Sequence, residues 1–76
     1  MTIKSLEVVA LTRDLTDYGL KSGDTGTVVE IYEPDGVEIE FLTGAGTTKA
    51  VLTLSKSDVR SLRSDDILAV RSVNAA

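Results

Sequence analysis

Residues 21–42 read KSGDTGTVVEIYEPDGVEIEFL and decide the fold. The stretch contains two runs in which apolar and polar residues alternate, and a cluster of turn-favouring residues precedes each run. Alternation with a period of two is typical of strands that bury one face. The stretch therefore predicts a tight turn, a strand, a second turn and a returning strand, which together form a β-hairpin.

The second turn is predicted at residues 33–36, Glu-Pro-Asp-Gly. Pro34 presets φ at the first central position of a turn, Asp35 suits the second position, and Gly36 tolerates a positive φ. These preferences favour a type I turn that is closed by a glycine bulge.

The pairing register of the hairpin follows from placing the bulge at Gly36. Ile31 then faces Ile39, and Glu30 faces Glu40. A slip by one residue would mix apolar with charged side chains on each face, which the pleat strongly disfavours. The bulged register is therefore the predicted one.

The first turn is predicted at residues 22–26, where two glycines flank an aspartate. Gly23 and Gly26 favour a tight turn around Asp24, because glycine adopts φ values that other residues avoid. A phosphate-binding loop would also use such glycines, but it requires a following Lys-Ser/Thr pair and a helix that directs its amides at the phosphate. The chain lacks that pair, and we expect no helix here, so these residues are predicted to form a structural turn.

Short apolar runs outside the hairpin predict the remaining elements. We expect strands at residues 6–11, 48–54 and 59–62, a packed loop at 12–21 and a helical turn at 55–58. Residues 65–71 fit either a sixth strand or a helical turn, and we expect an added edge strand. The pattern predicts an all-β fold, a small SH3-like barrel of five to six antiparallel strands with one short helical turn. Residues 1–76 form a single domain with loose tails at 1–4 and 73–76.

The same alternation assigns side chains to the two faces of the sheet. The residues expected to point inward are Thr27, Val29, Ile31, Ala50, Leu52 and Leu54. Those expected to point outward are Val28, Leu42, Lys49, Val51 and Thr53. Tyr18 is expected to cover the core from the first loop. Because the outward apolar residues would be neighbours, self-association through a sheet edge is a further expectation.

Composition excludes several classes of function. The chain of 76 residues contains no cysteine and no histidine, so neither a thiolate metal site nor a histidine base is available. We expect no catalytic residue, metal site or cofactor. There is no apolar leader and no membrane-spanning run, so we expect a cytoplasmic protein that does not bind a membrane.

Several segments together resemble an uncharacterised bacterial family of small SH3-like barrel proteins, a domain of unknown function. The segments that carry the resemblance are residues 6–11, 14–20, 23–30, 37–41, 51–54, 58–62 and 67–71. The turn at 23–30, Gly-Asp-Thr-Gly-Thr-Val-Val-Glu, is similar to one in the photosystem I accessory subunit IV and in KOW modules. The resemblance implies a fold, a bacterial origin and a neighbouring gene of toxin or immunity type. It carries over no catalytic residue.

Glu30, Glu38 and Glu40 form the most informative set of polar residues, because the predicted register places all three on one outer face. One interpretation is a solvated face whose charge Lys49 offsets and which prevents edge aggregation. A second is a docking face for a basic protein partner, with Tyr32 and Lys49 beside the glutamates. A third is an acid–base pair or a Ca²⁺ or Mg²⁺ site, which a flat sheet face disfavours.

Three classes of function therefore compete, and a non-catalytic protein-interaction module is the leading hypothesis. Its partner is a protein of unknown identity, for example the product of a neighbouring gene that this chain would neutralise. A structural or accessory subunit of a larger complex is an alternative. A KOW-like nucleic-acid module is another, but the net charge is −4 and the lysines at 4, 21, 49 and 56 would have to converge on one face.

Overall fold

Five antiparallel strands and two short 3-10 turns make up the computed structural model, which describes residues 2–73. The strands are β1 (Val8–Leu11), β2 (Thr25–Tyr32), β3 (Gly36–Leu42), β4 (Thr48–Ser55) and β5 (Val59–Ser61), and the 3-10 turns are Thr16–Tyr18 and Lys56–Asp58. They form one sheet in the order β4-β3-β2-β1-β5, so β4 and β5 are its edge strands. The predicted all-β class is confirmed, and the first 3-10 turn is an addition to the single helical turn expected.

The core lies beneath the three middle strands of the sheet. Its buried members are Val9, Ala10, Leu11, Leu15, Leu20, Val28, Val37, Ile39, Phe41 and Val59. Ala50, Leu52 and Leu54 of β4 also face this core, as predicted, but they are only partly buried. The apolar side of the edge strand β4 is therefore incompletely covered.

The first strand is shorter than the sequence pattern indicates. β1 begins at Val8, because Leu6 has a φ of 68° and its side chain is 75% exposed. Before it, Ile3 packs against the core, although residues 1–4 were expected to be loose. Residues 1 and 74–76, which belong to the expected tails, lie outside the described residues.

The predicted register of the hairpin is wrong by two residues. Ile31 pairs with Val37, and Tyr32 pairs with Gly36, so the connecting loop contains only residues 33–35. A shift of two residues leaves every β3 side chain on its original face, so the alternation of apolar and polar residues does not exclude it. The length of the loop decides between the two registers.

The predicted type I turn with a glycine bulge is also wrong. Gly36 lies inside β3 without a positive φ, and the peptide bond before Pro34 is cis. Glycine suits this position because a Cβ atom would lie 3.1 Å from the Cβ of Tyr32 and 3.2 Å from its carbonyl oxygen. The residue is required by a close approach of the two strands.

A bulge in β2 reverses part of the predicted inward face. The register with β3 shifts between Val28 and Glu30, so Val29 is an extra residue on its strand. Val28 is consequently fully buried and Val29 is 36% exposed, which corrects both assignments. Thr27 before the bulge is only partly buried, whereas Ile31 after it packs against the core as expected.

The turn before β2 agrees with expectation at one glycine and differs at the other. Gly23 has a φ of +91°, the conformation predicted for it. Gly26 has no positive φ and lies buried inside β2. A Cβ atom there would lie 2.5 Å from Cγ2 of Ile39, so the core and not the turn requires this glycine.

The loop between β1 and β2 covers the core with leucines and not with its tyrosine. Leu15 and Leu20 form an isolated antiparallel bridge, and both are buried. Tyr18 lies in the 3-10 turn between them and is 50% exposed, so the expected covering role is wrong.

The segment after β5 does not form the expected sixth strand. Residues 67–72 lie in no strand of the described structure. Ion pairs of Arg60 with Asp66 and of Arg71 with Asp24 hold the segment in place through side chains. These contacts join residues that are distant in sequence or that lie outside any strand, so a period-two pattern does not reveal them.

Candidate interaction face

Three carboxylates share the outward face of the β2–β3 hairpin, and we call them the acidic strip: Glu30, Glu38 and Glu40. Glu30 lies directly opposite Glu38, not opposite Glu40 as predicted, because of the register described above. Glu38 and Glu40 are two positions apart in an unbroken part of β3 and therefore share its face. The structure therefore places all three glutamates on one face, as predicted, but it pairs Glu30 with Glu38 and not with Glu40.

Two hydroxyl groups donate hydrogen bonds to the acidic strip. The Tyr32 hydroxyl donates to Glu38 Oε1 over 2.8 Å, and Thr48 Oγ1 donates to Glu40 Oε2 over 2.8 Å. The hydrogen bond to Glu38 raises the pKa of Tyr32, and partial desolvation and the neighbouring carboxylate charges act in the same direction. Tyr32 therefore belongs to the strip's surroundings, as expected.

Lys49 forms no ion pair with a glutamate of the acidic strip. The ion pairs among residues 2–73 are Arg13–Asp58, Lys56–Glu33, Arg60–Asp66 and Arg71–Asp24. Lys49 instead lines a groove between the end of β3 and residues 69–73. The strip therefore has no salt-bridge partner in the described part of the chain.

Exposed apolar side chains flank the strip. Val51 lies directly opposite Glu40 on β4 and is 46% exposed, and Leu42 at the end of β3 is 52% exposed. Val28, the third residue expected in this patch, is buried in the core. The outward face thus combines negative charge with two aliphatic side chains and the exposed ring of Tyr32.

A cluster around Asp24 joins the first turn to the C-terminal segment. Arg71 donates to both carboxylate oxygens of Asp24, with Nε 2.9 Å from Oδ1, and Nη2 also donates to the Gly19 carbonyl over 2.9 Å. The backbone N–H of Lys21 donates to Asp24 Oδ2 over 2.8 Å. These hydrogen bonds, that of Arg71 above all, lower the pKa of Asp24. The Asp24 carboxylate therefore connects the turn before β2 to the C-terminal segment.

A second polar cluster fastens the 3-10 turn at Lys56–Asp58. Ser55 and Asp58 form a capping box, in which the Ser55 backbone N–H donates to Asp58 Oδ2 over 3.1 Å. Ser55 Oγ also donates to Asp35 over 2.9 Å, and Arg13 Nε donates to Asp58 Oδ1 over 2.8 Å. The serine cap is visible in the sequence as Ser-x-x-Asp, whereas the contact of Arg13 has no local signal.

Residues 2–73 contain neither a cluster of metal-binding side chains nor a patch formed by Lys49 and Lys56. No group of three or more acidic residues among residues 2–73 is placed to hold a metal ion. Lys49 and Lys56 lie at opposite ends of the eight-residue strand β4, roughly 20 Å apart, and Lys56 is paired with Glu33. These two lysines therefore do not converge on one patch. No helix in this part of the chain is long and apolar enough to cross a membrane.

Comparison with known proteins shows which family the chain belongs to. Residues 5–61 match the family model described as "Domain of unknown function (DUF4926)". The chain belongs to this family. The matched part of the DUF4926 chain contains all five strands and the acidic strip, whereas Asp66 and Arg71 lie beyond it. No curated protein and no solved structure matches the chain. The bacterial origin and the SH3-like relationship stay predictions.

Proposed function

We propose that this DUF4926 chain is a non-catalytic protein-interaction module, and that its acidic strip binds a basic segment of a partner protein. The observation that carries the proposal is the direct opposition of Glu30 and Glu38, with Glu40 on the same face. Like charges that face each other across two strands destabilise a sheet. A face that retains such an arrangement without a lysine or arginine partner is suited to receive cations from another molecule.

The electrostatics of the strip supports recognition more than raw affinity. A negative patch attracts a positively charged partner over a distance of about one Debye length, roughly 8 Å at physiological ionic strength. Complementary charge then increases the association rate and disfavours acidic partners. The strip is therefore suited to select a basic protein segment.

The flanking side chains supply short-range contacts. Tyr32, Leu42 and Val51 are each about half exposed, and aromatic residues are enriched in protein interfaces. Tyr32 also holds Glu38 in one orientation through its hydroxyl. A partner whose lysines or arginines alternate with apolar residues would fit both components of this face.

The composition supports a binding role over a chemical one. The chain contains no histidine and no cysteine, the residues that most often act as general base or thiol nucleophile. The strip also lies on an outward sheet face, where water competes with any bound substrate. Binding by charge and shape is the activity that these residues support best.

The direct test uses a fluorescein-labelled peptide in which lysines alternate with leucines. We expect saturable binding that weakens as salt is added, and about tenfold weaker binding by the variant Glu30→Gln with Glu40→Gln. The matched control, Asp14→Asn with Asp17→Asn, removes the same charge from an exposed loop and should bind as the unaltered chain does. Fluorescence anisotropy measures the affinity.

Two results would overturn the proposal. Equal weakening in both variants would mean that overall charge, and not the strip, attracts the peptide. Unchanged binding by the Glu30→Gln, Glu40→Gln variant would mean that the peptide binds elsewhere. Circular dichroism and urea unfolding of each variant establish that the comparison is between folded proteins.

A further inference from the structure

Residues 67–70, Ile-Leu-Ala-Val, present apolar side chains to solvent, and we call them the apolar segment. Ile67 is 90% exposed, Leu68 is 71% exposed and Val70 is fully exposed. Isolated exposed apolar residues are common on proteins, but a continuous run is characteristic of an interaction site. This run lies outside the acidic strip and outside the residues that match the family model.

The backbone of the apolar segment is also available for pairing. None of its N–H or C=O groups bonds to the backbone of another described residue. The segment is nevertheless positioned, because Asp66 is bound by both terminal nitrogens of Arg60 and Arg71 is bound to Asp24. Part of the entropic cost of ordering the segment is therefore already met within the monomer.

Of the two edge strands, β4 is the longer, and one of its edges has no neighbouring strand. β4 is eight residues long and pairs only with β3. On its inner face, Leu52 and Leu54 remain only partly buried, and on its outer face Val51 is 46% exposed. A long edge strand without proline and with a single charged residue is a site where another strand adds readily.

The two surfaces complement each other on both faces of a strand. In an extended conformation, Ile67 and Ala69 would point to one side and Leu68 and Val70 to the other. On β4, Leu52 and Leu54 line the inner face, and Val51 lies between Lys49 and Thr53 on the outer face, so each face offers an apolar contact. The chain therefore has a free strand edge at β4 and an apolar segment that is suited to pair with it.

We propose that the apolar segment of one copy adds as a strand to the free edge of β4 in a second copy. Charge favours a parallel orientation, because Asp65 and Lys49 form no ion pair within the described monomer and would then lie side by side. In the opposite orientation, the register that places Ile67 beside Thr53 would bring Arg71 next to Lys49. In the parallel register Ile67 lies beside Val51. Reciprocal exchange closes the assembly as a two-fold dimer.

The first experiment measures the mass of the full chain by sedimentation over a range of concentrations. We expect the mass to approach twice the monomer value of 8.1 kDa. The variant Ile67→Lys with Val70→Lys should remain monomeric at all concentrations, because it places charge in the proposed strand. The control, Ser5→Lys with Ala45→Lys, adds the same charge at exposed positions and should still dimerise.

The second experiment identifies the contact by disulfide formation. Only the introduced cysteines can react, because the natural chain has no cysteine. The variant Ile67→Cys is mixed with Val51→Cys under mild oxidation, and we expect a mixed disulfide as the main product. Asp17→Cys replaces Ile67→Cys in the control mixture and should not form it. The acidic strip plays no part in either experiment, so a failure here would leave the proposed function untouched.

Other products would overturn the inference. If the chain is a monomer at all concentrations, its copies do not associate. The inference is then wrong even if a different protein covers the apolar segment. A disulfide between two Val51→Cys chains indicates pairing of β4 edges. A disulfide between two Ile67→Cys chains indicates contact between the segments themselves. If Ile67→Cys forms a disulfide with Thr53→Cys in preference to Val51→Cys, the proposed register is wrong.

Discussion

At Gly26 the backbone of β2 lies directly against two core side chains. Its missing side chain leaves room for Ile39 and Phe41, whose atoms would lie 2.5 Å and 3.0 Å from a Cβ. Both neighbours are buried, so neither can move away without disturbing others. The tight packing of this small core therefore depends on the absence of a side chain at Gly26.

Replacing Gly26 by alanine should destabilise the fold by about 1–3 kcal/mol, because the added methyl group overpacks the core. Gly44→Ala is the matched control, since nothing lies within 4 Å of its Cβ position. It should change the free energy of unfolding by less than about 0.5 kcal/mol. Urea unfolding measures both variants, and equal effects would contradict the packing explanation.

At the scale of elements, the segment after β5 is held by side chains and not by strand pairing. Arg71 reaches across to the turn before β2, where it binds Asp24 and the Gly19 carbonyl. The side chains of this ion pair are 32% and 21% exposed, so water weakens their attraction. The contact positions the segment more than it stabilises the sheet.

The variant Arg71→Gln should release residues 67–73 while leaving the sheet intact. We expect lower heteronuclear NOE values for these residues in NMR and little change in the free energy of unfolding. Arg63→Gln is the control, because the Arg63 side chain belongs to no described ion pair. Unchanged NOE values in Arg71→Gln would show that another contact holds the segment.

At the scale of the whole molecule, ion pairs make stability depend on acid pH. Arginine partners lower the pKa of Asp24 and of Asp58, and the pKa of Asp66 falls from 3.8 to about 2 through its bonds to Arg60 and to the Arg63 backbone N–H. A carboxylate whose pKa is lower in the folded state stabilises the fold above its unfolded pKa. That contribution is lost as the pH falls through the folded pKa.

The urea midpoint should therefore fall as the pH decreases from 3.8 to about 2. Asp66→Asn should show a smaller fall over this range, because it lacks one of the carboxylates responsible. Asp17→Asn removes an exposed acidic residue that forms no described ion pair and should follow the unaltered chain. Parallel curves for all three proteins would show that the Arg60–Asp66 pair does not contribute.

Local patterns in the sequence were sufficient for the elements that depend on neighbouring residues. Alternation placed the strands of the hairpin and β4 within one or two residues, and the helical turn expected at 55–58 is present as the 3-10 turn Lys56–Asp58. The sequence also indicated which residues form the acidic strip, because Glu30, Glu38 and Glu40 lie in segments where polar and apolar residues alternate. These features follow from side-chain periodicity and from the conformational preferences of single residues.

The tertiary structure alone decided which residues meet. The loop length sets the pairing of Glu30 with Glu38, because period-two alternation does not distinguish registers that differ by two residues. The contact of Arg71 with Asp24 spans 47 residues and leaves no local pattern. The sequence by itself therefore determined an all-β chain with an acidic hairpin. The three-dimensional packing determined which charges lie opposite each other and where the C-terminal segment is fastened, because both depend on distances between residues far apart in the chain.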